Sequence, residues 1–408
     1  MFGLLGNIAD PRSKCKYDMC DIVSGAMVMN LLKCGSRNRY NLNRSETKFT
    51  QNFCDNFHIN LPHGDAIDDV LRAVNPEELE LVRKKLVANL IENKHFRNYR
   101  LDNRFYLVAV DATGIASFDE RHCEHCLSKT SKNGVTTYFH YVLEAKLVTS
   151  SGLSISIASE FVENHADRDF DKQDCEQKAF KRLAIKLKKH YPRLPICVLA
   201  DGLYPNQHVF EICRKNHWKF IITLKDSCLS SFQTEVELLK NTVASREVFR
   251  QNKTGRTTQK YSYLNDIEYS KYEYSWMSCH EKIETLRDGK IQENRFVYIT
   301  NMALSAENVI HITECGRLRW KIENQGFNTQ KNQGYELEHK FSRKSYRAMQ
   351  NYYLVLQIAH LVNQLVVRTK AVLSILAEHS KTTISHLWSI LLSYLIFVQH
   401  NEALIQLE

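Results

Sequence analysis

Two aspartates stand in the same local setting. Asp111 closes the apolar run VAV and precedes Ala-Thr-Gly, and Asp201 closes CVLA and precedes Gly-Leu-Tyr. In an open α/β sheet, ligands collect in the crevice at the carboxyl ends of the strands, and two carboxylates there can hold a divalent cation. Either residue alone reads equally well as the start of a turn, because DATG and DGL are turn-like; their matched placement in one expected sheet favours the site. A third carboxylate lies in RLRWKIENQGF, where Arg319 and Glu323 are four apart and share a helix face, with Trp320 and Ile322 turned elsewhere. Taken alone, that spacing describes a surface ion pair worth about 0.3 to 0.5 kcal/mol.

The surroundings favour more. Lys and Arg number 55 against 46 Asp and Glu, a formal charge of +9. Between Arg317 and Lys370 there are ten Lys/Arg and three Asp/Glu, a surplus of seven in 54 residues. That segment is expected to dock a polyanion, DNA above all, with Arg317, Arg319, Lys321, Lys331, Lys340, Arg343, Lys344 and Arg347 as the candidate contacts. Arg319 then neutralises phosphate beside Glu323.

Other clusters carry weaker signals. HCEHC sets Cys123 and Cys126 at C-x2-C spacing between His122 and His125, a possible half of a zinc site. No clean second pair stands out, Cys175, Cys197, Cys213 and His140 being scattered, so ordinary thiols are the expected reading. Glu160, Glu163 and His165 in SEFVENH are expected as edge or loop polar groups rather than crevice ligands. Arg37, Arg39, Arg44 and Lys48 either grip DNA or form a solvated basic face.

The elements that must position the acids follow from periodicity. Ile22, Val23, Met27, Leu31 and Leu32 recur at helical spacing, and Asn75, Pro76 and Glu78 supply start signals for a helix through Leu79, Val82, Leu86 and Leu90. From Phe105 the texture becomes strand-like: FYLVAVD ends in Asp111, and YFHYVLEAKLVT and LSISIASEF read as two strands joined by a turn at Ser150 to Gly152. A helix with Phe180, Leu183, Ala184 and Leu187 on one face, the strand PICVLAD, a helix over Asn206 to Asn216 and the strand KFIITL complete the run. Three strands followed by alternating helix and strand predict a mixed sheet with right-handed crossovers, the element order of the ribonuclease-H-like fold. The tyrosine-rich stretch that follows suggests a β-rich insertion, and helical periodicity returns in the tail beyond Tyr346, with Tyr353, Leu356, His360, Val362 and Leu365 near one stripe.

Strand-end Asp111 in DATG, Asp201 in LADGLY and the Arg319-x3-Glu323 helix, with a β-like insertion before the third acid, resemble the DDE transposases of bacterial insertion sequences, most closely the insertion sequence 4 family. In that family the Glu helix bears a Tyr-x2-Arg-x3-Glu-x6-Lys signature. Arg319 and Glu323 fit it, whereas Gly316 stands where the Tyr is expected and Gln330 where the Lys is, with Lys331 one residue later. The resemblance implies that Asp111, Asp201 and Glu323 bind two Mg²⁺ or Mn²⁺ ions. It implies hydrolysis at the transposon ends and attack of the freed 3′-hydroxyl on target DNA. Double-stranded DNA carrying terminal inverted repeats is the implied partner, with a homodimer holding two ends. Two ions about 3.5 to 4 Å apart would activate the nucleophile, neutralise the phosphoryl oxygens and stabilise the leaving oxygen.

The expected organisation is an α/β protein: a helical region over 1–104 with possible DNA binding, a catalytic core over 105–225, a β-rich insertion over 226–293, a closing strand and Glu-bearing helix over 294–350, and C-terminal helices over 351–408. A composition of 43% hydrophobic and 25% charged residues excludes a disordered or fibrous chain. Twelve Cys, about 3% of the chain, fall short of a disulfide scaffold, and with no visible secretory signal a reducing cytoplasm is expected. The uncharged stretch from Thr382 to Asn401 is broken by His386, Ser389, Ser393 and Gln399, as in a buried or interfacial helix rather than a membrane span. Two other functions fit the same residues: a DNA-binding protein derived from a transposase but without catalysis, and a nuclease that cuts without joining.

Overall fold

The computed structural model describes residues 1–164, 173–379 and 381–398. His165 and the stretch from Gln399 to Asn401 lie outside the described residues. The chain opens with helices Phe2–Leu5, Met19–Leu31, Arg37–Ser45, Thr47–Phe57, Gly64–Leu71 and Pro76–Glu92 (α1–α6). Side chains set their starts: Asp18 and Ser36 accept the N–H groups of Asp21 and Arg39, and Asn75 accepts that of Glu77 ahead of Pro76.

The sheet holds ten strands among the described residues: Tyr106–Phe118, Leu127–Thr130, Thr136–Val148, Ser154–Val162, Ile196–Ala200, Lys219–Thr223, Ala244–Gln251, Gly255–Tyr269, Tyr272–Thr285 and Ile291–Thr300 (β1–β10). Their order is β2-β3-β1-β5-β6-β10-β9-β8-β7, with β4 also paired to β3. β1, β5 and β6 are mutually parallel, and β3 is antiparallel to β1. Helices Glu176–His190 (α7) and Gln207–Lys215 (α8) make the crossovers into β5 and β6. This is a mixed α/β architecture of the ribonuclease-H-like type. Alternate residues of β1 feed two cores: Tyr106, Val108 and Val110 pack with Leu183, Leu187 and Phe210 of α7 and α8, while Leu107 and Ala109 pack with Ile312 and Ile322 on the opposite face.

Three expectations need correction. β1 does not end at Asp111; it continues to Phe118 because β3 goes on pairing with it, through a bulge between Gly114 and Ala116, after β5 has stopped at Ala200. The crevice therefore opens where a neighbour ends. The tyrosine-rich stretch is β as expected but is not a unit set apart: β7, β8 and β9 extend the same sheet outward from β10, and helix Ser230–Leu238 (α9) precedes β7 within the β-rich region. Its aromatics Tyr261, Tyr274 and Trp276 are buried.

After β10 come Val309–Arg317 (α10), a π-helical segment Ile322–Asn328 and Thr329–Asn332 (α11). The third correction concerns Tyr346–Val366 (α12), whose spacing predicts one apolar stripe, yet which is buried on every side from Asn351 to Leu361, wedged between the N-terminal helices and β4. Lys370–Glu378 (α13) and Ile384–Phe397 (α14) close the described chain, and Asn52 of α4 donates to the Leu395 carbonyl at 2.9 Å. No described helix is long and apolar enough to cross a membrane.

Candidate active site

The register of the parallel strands brings the two aspartates together. Leu107 pairs with Cys197 and Ala109 with Leu199, the last pair of the β1–β5 ladder; Asp111 lies two residues past that pair on β1 and Asp201 directly follows β5, close enough for its charge to raise Asp111. Both acids continue the face that bears Leu107, Ala109, Cys197 and Leu199, beneath the segment that carries Glu323. Ile322 and Phe327 are buried against that face and anchor the segment.

Arg319 links the acids. Its Nη1 donates to Glu323 Oε1 at 2.6 Å and lies 3.4 Å from Asp111 Oδ2. The pair at helical spacing thus exists, but its arginine is 7% exposed and points between two carboxylates rather than at solvent. Asp201 Oδ1 accepts the Leu203 N–H at 2.9 Å, and Lys225 Nζ stands 3.7 Å from its other oxygen. The three carboxylates are not drawn within 4.8 Å of one another. Burial pushes Asp111 up to about 7, with the charges of Glu323 and Asp201 adding to it against the Ala112 N–H and Arg319. Such a group gains from a cation.

The donor set fits a hard divalent ion: carboxylate oxygens on fixed elements, one side open, and a protein cation already drawn into the space between them. Sequence reasoning missed Glu176, the first residue of α7. Its carboxyl is raised by burial and by Asp201, while the Tyr204 hydroxyl donates to it at 3.2 Å. Its position on a helix N-terminus beside a strand end was the available signal. A cleft of about 620 Å³ runs from Asp201 past Lys225, Arg295, Arg319 and Trp320. Trp320 is half exposed there, with the Arg319 guanidinium 4.7 Å from its ring.

The basic residues divide. Arg317 is not turned to solvent as a phosphate contact: it forms a bidentate pair with Glu281, at 2.8 and 3.2 Å, and lies over Phe296. Arg319 faces the acids, Lys331 pairs with Glu338 at 2.7 Å, and Lys340 lies over Phe118. Arg343, Lys344 and Arg347 are exposed or half-buried, as is Lys321, and none of the four has an acidic partner among the described residues. Arg37, Arg44 and Lys48 are engaged with Asp65 and Asp68, the Leu61 carbonyl and the Phe397 carbonyl, respectively. Glu160 pairs with Arg182 and Lys186, away from the crevice.

The departures from the helix signature have physical reasons. A side chain at Gly316 would meet Ile221 at 2.8 Å and the Tyr298 ring at 3.1 Å, so the neighbouring strand fills that space. Gln330 is fully buried, bonded to Gln357 and His360. A π turn holds one residue more than an α turn, so Lys331 reaches the rotational position that the seventh residue after Glu323 would take in a regular helix.

Comparison with known families finds a match over the sheet that carries these residues. The family model described as transposase DDE domain matches residues 106–361, well over half of the chain. The chain belongs to that family and is a transposase, an enzyme whose substrate is DNA and whose domain type generally uses divalent metal ions. No curated protein matches the chain.

Proposed function

We propose that this protein is the transposase of a bacterial insertion sequence, and that Asp111, Asp201 and Glu323 are its catalytic acids. The placement of Asp111 and Asp201 just past the last β1–β5 pair, with Arg319 held between Asp111 and Glu323, carries the reading. Bound to these carboxylates, Mg²⁺ or Mn²⁺, two ions in all, would polarise the scissile phosphate and raise the acidity of the attacking hydroxyl or water. For these carboxylates to hold the ions, Asp111 would have to be ionised and Arg319 would have to leave the space between Asp111 and Glu323, becoming free to meet a phosphate oxygen. Lys331, brought round by the π turn, supplies a second positive charge on the same segment. Arg343, Lys344 and Arg347, with Lys321, hold the duplex. Lys225, Arg295 and exposed Trp320 suit the path of a DNA end, with the indole available for base stacking. Joining two ends calls for a dimer on DNA, and twelve unpaired cysteines suit a reducing cytoplasm.

The test is incubation of the purified chain and Mg²⁺ with DNA carrying the terminal inverted repeats that flank its gene. Cleavage at the repeat and joining of the 3′ end to target DNA are expected. Retardation without cleavage would instead identify a DNA-binding derivative, and cleavage without joining a nuclease.

A further inference from the structure

The C-x2-C loop finds its missing partner in the fold. Cys123 and Cys126 lie in the loop between β1 and β2, and His140, fourteen residues beyond Cys126, sits on β3 facing them. The two sulfurs are 3.8 Å apart, and His140 Nε2 lies 3.4 Å from Cys123 Sγ and 3.5 Å from Cys126 Sγ. A tetrahedral ion with Zn–S of about 2.3 Å and Zn–N of about 2.0 to 2.1 Å requires S···S near 3.8 Å and S···N near 3.5 Å. All three edges match. Hydrogen bonding explains them less well, since the single lone pair of an imidazole nitrogen accepts one S–H squarely, not two. The sulfur separation is also far beyond the roughly 2.05 Å of a disulfide.

We propose that Cys123, Cys126 and His140 bind a structural Zn²⁺. His140 and Cys126 are buried, so the site is shielded from solvent on two of its three donors. Binding converts two thiols to thiolates and releases their two protons. The same loop carries a further donor: His125, stacked on Tyr346 at 4.6 Å, has a buried Nδ1 with no hydrogen-bond partner among the described residues. The ion ties the β1–β2 loop to β3 under Tyr346, the first residue of α12, and Asn164 holds the Cys126 carbonyl from the end of β4 at 3.2 Å. This inference does not depend on the catalytic reading, because the site shares no residue with the acids.

The test is the metal content of the full chain, expressed with added zinc and purified with a reductant and no chelator. About one zinc per chain is expected, falling to below about a tenth in Cys123→Ser, Cys126→Ser and His140→Ala, and unchanged in Cys54→Ser. Replacement of the ion by Co²⁺ in the unaltered chain, which removes any question of variant folding, should give the ligand-field and sulfur-to-cobalt charge-transfer bands of a tetrahedral thiolate site. Zinc retained in all three variants, a zinc-free chain that takes up no Co²⁺ with those bands, or a Cys123–Cys126 disulfide persisting in reductant would overturn it.

Discussion

Two clusters of opposite charge, both lying between β strands and a helix, have opposite characters. Arg83 of α6 is fully buried and contacts Glu80, the hydroxyls of Ser156 and Ser159 at 2.5 and 2.7 Å, and Glu144 at 3.7 Å. Glu144 in turn accepts from both serines. Glu80 and Glu144 hold the Arg83 guanidinium above its ordinary value even though burial works against its charge. In the other cluster, Asp111, Asp201 and Glu323 remain part-exposed, share Arg319 and the more distant Lys225, and leave Asp111 poised near neutrality. Each cluster has one more carboxylate than cations; the buried one closes its contacts with the Ser156 and Ser159 hydroxyls and fixes the fold, whereas the open one leaves its carboxylates part-exposed at a crevice, a place for a cation.

Breaking each cluster should separate these roles. The largest effect belongs to the open one: Asp111→Asn, Asp201→Asn and Glu323→Gln should each lower single-turnover cleavage by about 10³-fold or more. DNA retardation should stay within about threefold, since acids facing phosphate repel it until metal arrives. Cleavage within about tenfold of the parent in any one variant would remove that residue from the site. Arg83→Ala should instead lower stability in urea melts by about 3 to 5 kcal/mol, because two buried carboxylates lose their partner; a decrease below about 1 kcal/mol would mean that the pair contributes little net.

A finer contrast uses pH. Asp111 has a folded pKa above its unfolded one, so between about pH 4 and pH 7 the unfolded chain loses that proton and the folded chain keeps it. Stability from this group therefore falls as pH rises through that window. In chelator, Asp111→Asn should be more stable than the parent by about 1 to 2 kcal/mol at pH 7, allowing for partial exposure, and indistinguishable near pH 4. A gap that is flat across the window would deny the desolvated acid. The smallest effect concerns the rim: Arg347→Ala should make the fall of log affinity with log salt shallower by about 0.9, as when one fewer phosphate is neutralised. An unchanged slope would place Arg347 off the DNA.

Much of this contrast was legible in the residues themselves. Asp111 and Asp201 stood out because each ended an apolar run, and the crossover order of strands and helices placed both at one sheet edge. Glu323 was legible through its spacing from Arg319, but not the direction of that arginine, since four-residue spacing says which groups meet and nothing of what lies beneath them. The π segment left no sequence mark, so the late Lys331 read as a departure rather than a consequence of an extra residue in the turn. Arg83, Glu80 and Glu144 were invisible as a core cluster, because charged residues at helical and strand spacing look solvated until tertiary packing buries them. The continuation of β1 past Asp111 was missed for a similar reason: Ala-Thr-Gly resembles a turn, and only the ladder with β3 keeps it extended. His140 is only one of four scattered candidates in the sequence; Cys126 becomes its neighbour because β2 pairs with β3 from Leu127 opposite Phe139.

The most direct measurement is anomalous diffraction from crystals of the chain with transposon-end DNA and Mn²⁺. Manganese peaks ligated by Asp111, Asp201 and Glu323 are expected, with the Arg319 guanidinium moved out from between Asp111 and Glu323. Manganese bound elsewhere, with Arg319 still bridging those carboxylates on bound DNA, would contradict the assignment of the three acids.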